Sequence, residues 1–86
     1  QNYPNPFNPS TTVEFELQRA TAVTLEIYDL QGRRVRRLID ESMAAGPHAR
    51  TWQGRDDQGR VMPSGVYFYR FAAGEEMRSG KLTLLK

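Results

Sequence analysis

Four groups of side chains in this sequence are of types that could do chemistry. Asp56-Asp57-Gln58-Gly59 gathers carboxylates and an amide oxygen in one turn, a hard-oxygen set that suits calcium. It lacks the alternating carboxylates and distal bidentate glutamate of a calcium loop, so a solvated Asp-rich turn accounts for it and no metal site is expected. Arg33, Arg34, Arg36 and Arg37 form the one dense charge cluster, and such a patch could meet phosphate or acidic sugars. The same arginines would also guard an exposed edge strand against unwanted pairing, with Glu26, Asp40 and Glu41 at hand to neutralise part of the charge. As an anionic partner, lipopolysaccharide is preferred to nucleic acid, for which no fold motif is present.

His48 is the one histidine. A catalytic triad would need a nucleophile and an orienting carboxylate in register with it, and no nucleophile elbow or similar context is present. Beside Trp52 it reads as a structural residue. The rings Trp52, Tyr67, Phe68 and Tyr69 could line a carbohydrate platform, because sugar faces stack on flat rings. A small β-sandwich core asks for the same alternation. No pair of acid, base or nucleophile has supporting context, so no catalytic residue, cofactor or enzymatic activity is expected.

The elements that must position these groups read as short strands. Val13, Phe15 and Leu17 alternate with Thr12, Glu14 and Glu16 over Thr11 to Leu17, and Val23, Leu25 and Ile27 alternate with Thr24, Glu26 and Tyr28. Asp29-Leu30-Gln31-Gly32 is a hairpin-like turn. From Arg33 to Ile39 the inward candidates Val35 and Leu38 fall one step out of phase, which predicts a bulge. Asp40 to Pro47 reads as a loop broken by Gly46-Pro47, and His48 to Trp52 as a strand with His48, Arg50 and Trp52 on one face.

The connection from Gln53 to Ser64 carries Gly54 and Gly59, with Gly65 just beyond it. All three accept positive φ, and Asp56 and Asp57 suit turns. Tyr67, Tyr69 and Phe71 then share one face of a strand expected to be central, and Ala72 to Glu76 turns into a last strand, Met77 to Leu85, with Leu82 and Leu84 facing one way. The expected structural core is Val13, Phe15, Leu25, Ile27, Trp52, Tyr67 and Tyr69. Helix content should be close to nil, since no window keeps a 3.6-residue period with caps.

A chain of 86 residues is one domain with a small core. Mean hydropathy is low, −0.67, yet four Tyr, four Phe and one Trp supply large buried areas from few positions. Without cysteine, no disulfide compensates for the small core. A net charge of +2 is too mild to argue for nucleic acid. No apolar run approaches the roughly 20 residues that span a bilayer, so membrane insertion is not expected. The opening Gln1-Asn2-Tyr3-Pro4 lacks an initiator methionine and predicts a piece of something longer. Pro4, Pro6 and Pro9 with Asn2, Asn5 and Asn8 make residues 1–10 an extended lead-in that Tyr3 and Phe7 pin onto a sandwich of residues 11–86. Asn8-Pro9-Ser10 is excluded as a glycosylation acceptor by its central proline.

Tyr3 through Thr12, Val23 through Asp29 with Gly32-Arg33, Trp52 through Asp56, Gly59, Ser64 through Tyr69 and the closing Lys81 to Lys86 together resemble a known family. They are similar to the type A C-terminal sorting domains of type IX (Por) secretion cargo, a branch of the FlgD-like Ig-like domains. Arg50 departs from the pattern, where an apolar residue is usual. The resemblance implies an all-β fold, an Ig-like antiparallel β-sandwich of about seven strands. It also implies a non-catalytic secretion and sorting module of a larger protein, secreted or held at the outer surface of a Gram-negative bacterium. Its expected partners are the type IX machinery, a sortase-like peptidase and the N-terminal parent domains. Lys81, Leu82, Thr83, Leu84, Leu85 and Lys86 are the expected recognition residues. The alternative is an extracellular binding or assembly module, either a carbohydrate-binding appendage of a hydrolase or a subunit of a surface structure.

Overall fold

A computed structural model of the chain describes residues 10–85. Apart from the exposed Ser10, the lead-in of residues 1–10 lies outside the described residues, and so does Lys86. Six strands follow one another: β1 (Thr11–Leu17), β2 (Thr21–Tyr28), β3 (Arg34–Met43), β4 (Gly46–Trp52), β5 (Gly65–Ala73) and β6 (Glu76–Leu84). The described residues contain no helix, and the resemblance implied about one strand more.

The strands form two antiparallel sheets, a four-stranded one in the order β3-β2-β5-β6 and a two-stranded one of β1 with β4. As expected, β5 is central, and Tyr67 and Phe71 on its inner face are buried. The inner faces of the two sheets close on each other because alternation along each strand gathers its apolar side chains on one side. One cluster joins Leu17, Val23, Leu25, Ile39, Met43, Phe71 and Ala73, and a second joins Ile27, Val35, Trp52, Tyr67, Leu82 and Leu84. Val13, Leu38 and Tyr69 touch both, so the two are one continuous core.

Of the expected core residues, Leu25, Ile27, Trp52 and Tyr67 are buried, whereas Val13, Phe15 and Tyr69 are half-buried at its margin. For Val13 and Phe15 their strand explains the difference. β1 belongs to a sheet of two strands, too narrow to cover its own inner face fully.

The phase slip read in β3 is two bulges. Leu25 faces Ile39 while Glu26 faces Arg37, leaving Leu38 as an extra residue; Ile27 faces Arg36 while Tyr28 faces Arg34, leaving Val35 as another. Each bulge turns an apolar side chain inward without breaking the ladder for long. The loop expected over Asp40 to Pro47 is corrected. β3 runs on to Met43, because β2 is long enough to pair as far as Thr21–Met43, and Gly46 and Pro47 already belong to β4. Pro47 is tolerated there because, among the described residues, β4 pairs on one side only, the position in a sheet where proline is accommodated.

Two connections use the same five-residue device. In Asp29-Leu30-Gln31-Gly32-Arg33 the Asp29 Oδ1 accepts the N–H of Gln31 (3.0 Å) and of Arg33 (2.9 Å), and Oδ2 pairs with Arg33 Nε at 3.0 Å. In Asp56-Asp57-Gln58-Gly59-Arg60 the Asp56 Oδ1 accepts Gln58 (2.9 Å) and Arg60 (2.8 Å), and Oδ2 pairs with Arg60 Nε at 2.8 Å. In each the glycine N–H returns to the aspartate carbonyl, with φ of 84° at Gly32 and 83° at Gly59, a region that side chains with a Cβ disfavour. Gly54 and Gly65 likewise take the positive φ expected of them.

Candidate functional surface

The loop from Gln53 to Ser64, the densest run of polar residues, is held from several sides. Trp52 Nε1 donates to the Arg55 carbonyl at 2.8 Å, Asp57 N–H to the Val35 carbonyl at 2.9 Å, Met62 N–H to the Gly54 carbonyl at 2.8 Å, and Arg55 bridges to Val61. Tyr67 donates its hydroxyl to the Pro63 carbonyl four residues upstream at 2.6 Å, which resembles the tyrosine corner of immunoglobulin-type sandwiches. The carboxylates of this loop are occupied. Asp56 serves its own turn, and Asp57 accepts the Arg37 N–H at 2.9 Å while pairing with Arg36 at 3.3 Å and Arg34 at 3.7 Å. The loop is framework.

The arginine cluster lies on and beside β3, an edge strand, as the guarding reading requires. Each arginine faces a carboxylate: Arg33 with Asp29, Arg34 with Glu26 at 3.4 Å, Arg36 with Asp57, and Arg37 with Glu26 at 3.0 Å and Asp40 at 3.6 Å. Glu41, expected among these partners, pairs instead with Arg50 at 3.4 Å, because Arg50 on β4 comes over from the second sheet. These are exposed pairs, worth about 0–1 kcal/mol each, and their effect is mainly to cancel the local positive charge.

His48 lies half-buried on the inner face of β4. Its ring stacks on Phe15 at 5.4 Å, and its Nε2 lies 2.7 Å from the Ala44 carbonyl. Of the aromatic set, Trp52 and Tyr67 meet edge to face at 5.0 Å inside the core, and Tyr69 is half-buried against it. Phe68 alone of that set is exposed, on the outer face of β5.

The expected recognition residues divide by strand alternation. Leu82 and Leu84 point inward and are buried, whereas Lys81, Thr83 and Leu85 are exposed. Among the described residues β6 pairs with β5 alone, so three exposed side chains and a row of backbone groups left unpaired by these strands are what a partner can meet. One group went unnoticed in the sequence. On the outer face of β2, Tyr28 donates its hydroxyl to Glu26 at 2.7 Å and carries the Arg70 guanidinium 5.4 Å above its ring. The hydrogen bond from Tyr28, with support from Arg37 and Arg34, holds the Glu26 carboxyl below its ordinary range, and the same bond pushes the Tyr28 phenol up. The outward alternation of Glu26 with Tyr28, and of Phe68 with Arg70, was the available signal.

No helix among the described residues is long and apolar enough to cross a membrane, and no group of three or more potential metal ligands occurs among them.

Comparison with known proteins matches residues 5–83 to the FlgD Ig-like domain. The chain is 41% identical over 59 residues to the basal-body rod modification protein FlgD of Salmonella typhimurium, and equally to that of Salmonella typhi. The match takes in 67% of this chain and 25% of each relative, so the chain spans about a quarter of the length of these curated relatives. Solved structures of the same fold include FlgD from P. aeruginosa, with a TM-score of 0.67 and 25% identity, covering 87% of this chain and 59% of that one. FlgD from Xanthomonas campestris gives 0.68 and 27%, covering 90% and 56%. Dimeric latent PorU from Porphyromonas gingivalis gives 0.71 and 22%, covering 98% of this chain and 9% of that one, a likeness of fold. The all-β, Ig-like antiparallel sandwich expected of the sequence is the fold observed.

Proposed function

The chain belongs to the FlgD Ig-like domain family, and from that membership we propose that it is a non-catalytic module of a longer protein, a sorting domain read by the type IX export machinery. The observation that carries this reading is the motif set at the two ends of the chain, Tyr3 to Thr12 and Lys81 to Lys86. Lys81 to Leu84 of the second run lie on β6, a strand that among the described residues pairs on one side only. Lys81, Thr83, Leu85 and the free β6 backbone are the surface such machinery would meet, and a sortase-like peptidase is the partner proposed to act after export. The parent protein would be secreted or displayed at the outer cell surface. A non-catalytic role is supported by the occupied state of the groups that might do chemistry, since His48 is engaged by Phe15 and Ala44 and the loop aspartates by backbone N–H groups and arginines.

The test is a reporter fused upstream of the 86 residues in a type IX-competent cell. Export is expected, and retention of the fused reporter inside the cell would overturn the reading. Removal of Lys81 to Lys86 is a poor probe, because it takes Leu82 and Leu84 out of the core. Lys81→Glu with Leu85→Asp changes exposed positions only, and should reduce export while leaving the thermal melt in place.

A second reading is favoured by the 41% identity to Salmonella FlgD: an assembly module of a surface structure such as the flagellar hook, whose capping by FlgD is named for the Xanthomonas campestris protein. Replacement of the matching segment of Salmonella FlgD by this chain separates the two. Restored motility would favour assembly, and loss of motility together with reporter export would favour sorting.

A further inference from the structure

The outward face of the four-stranded sheet carries an arrangement that core packing does not use and that shares only Lys81 with the surface proposed for export. Tyr28 on β2, Phe68 on β5 and Lys81 on β6 stand in one row, since Tyr28 is in register with Phe68 and Phe68 with Lys81. Two residues along β5 on the same face stands Arg70, in register with Glu26. Arg70 makes no ion pair with Glu26, whose oxygens are taken by the Tyr28 hydroxyl (2.7 Å), Arg37 (3.0 Å) and Arg34 (3.4 Å). Its guanidinium lies over the Tyr28 ring instead. Lys81, opposite Phe68, also has no carboxylate partner among the described residues. The arginines of the β3 side are thus cancelled, while these two cations keep their charge beside a Phe68 side chain that is 38% exposed.

We propose that this face binds an acidic polysaccharide, with Phe68 stacking against a sugar ring and Arg70 and Lys81 taking an ionised carboxylate of the same or the next residue. A phenyl ring has an electron-rich face that attracts the C–H groups lining a sugar. Guanidinium and ammonium groups supply charge-assisted donors to a carboxylate. The row from Tyr28 to Lys81 crosses two strand spacings, about 10 Å, a span that suits a short saccharide. An acidic peptide would use the two cations but does not call for the partly exposed Phe68 ring. Single-stranded nucleic acid would use the ring, but it calls for a basic groove that tracks a backbone of phosphates, and the uncancelled charge here is the pair Arg70 and Lys81. The inference does not rest on the export reading, and a reporter still exported by the Phe68→Ala chain would leave that reading untouched.

The test is calorimetric titration of the 86-residue chain with oligogalacturonate, alongside neutral dextran, polyglutamate and oligo-dT. Saturable binding to oligogalacturonate is expected, at least roughly tenfold tighter than to any of the other three. Phe68→Ala, Arg70→Gln and Lys81→Gln, all at exposed positions and each checked by thermal melt, should each weaken it by about tenfold or more. Absence of binding, binding that survives Phe68→Ala and Lys81→Gln alike, or equal binding to polyglutamate or oligo-dT would overturn the proposal.

Discussion

A Cβ on Gly80 would stand 2.5 Å from Tyr69 Cε2 and 2.7 Å from its hydroxyl oxygen, so the Tyr69 phenol lies across the bare backbone of β6 directly opposite it. A glycine in mid-strand ordinarily weakens a sheet; here the ring takes the space that the missing side chain leaves. Gly80→Ala should therefore cost about 1–3 kcal/mol through overpacking. In a Tyr69→Val background the same substitution should cost markedly less. Urea unfolding of the four chains of this cycle measures the coupling, and an undiminished cost in the Val background would sink the account.

Trp52 is 1% exposed, donates to the Arg55 carbonyl and meets Tyr67 edge to face. Trp52→Ala should remove about 3–5 kcal/mol, a large share of the roughly 5–15 kcal/mol that holds a domain folded. As the single tryptophan, it also reports its own burial. Its emission should shift to the red through the unfolding transition, coincident with loss of the β-sheet signal in circular dichroism. A red-shifted emission before any denaturant is added would contradict its placement.

The repeated Asp-x-Gln-Gly-Arg turns predict parallel behaviour at two positions far apart in sequence. Asp29→Ala and Asp56→Ala each remove an acceptor of two backbone N–H groups and should lower the melting temperature. Asp→Asn at either site keeps the Oδ1 acceptor, loses only the arginine pair, and should be milder. Gly32→Ala and Gly59→Ala meet open space, so their cost is backbone strain alone, about 1–2 kcal/mol. If the alanine and asparagine variants at Asp56 melted alike, the backbone bonds would not be what the carboxylate contributes.

Stability should fall at both ends of the pH range. The Arg33 N–H lowers Asp29, the Arg60 N–H lowers Asp56, and the Tyr28 hydroxyl lowers Glu26. Groups lowered in the fold stabilise it above their unfolded values, about pH 4. That contribution is lost as pH falls through the still lower folded values. Burial raises Tyr67, and the bond to Glu26 raises Tyr28. Their contribution is present below about pH 10 and is lost as pH rises through the raised values. Urea midpoints measured from pH 2 to pH 11 should trace a plateau with two falling limbs, and Glu26→Gln should make the acid limb shallower. A flat acid limb in the parent chain would refute the assignment.

Much of this protein could be read directly. The period-two alternation in Val13-Phe15-Leu17, Val23-Leu25-Ile27 and Tyr67-Tyr69-Phe71 names strands and their inner faces, because a strand's side chains point to alternate sides whatever it pairs with. The phase slip between Val35 and Leu38 announced the bulges, and Gly32 and Gly59 the turns, since steric limits on φ act within a few residues. The turn repeat itself, Asp29 to Arg33 and Asp56 to Arg60, was present as plain identity of spacing. It would have shown that the Asp-rich loop closes on itself.

The sequence by itself determined the local terms: strand phase, turn chemistry, the absence of helix, and the family to which residues 5–83 belong. Only the tertiary structure decided which strands meet. β1 pairs with β4 across the chain, β3 runs through the stretch read as a loop because β2 reaches that far, and Glu41 turns to Arg50 because β4 brings it there. The same non-local pairing cancels Arg34, Arg36 and Arg37 on β3 and leaves Arg70 and Lys81 charged beside Phe68. The physical reason is range: backbone sterics and alternation are written residue by residue, whereas charge pairing and coverage of a face depend on neighbours that the chain brings together only when it folds.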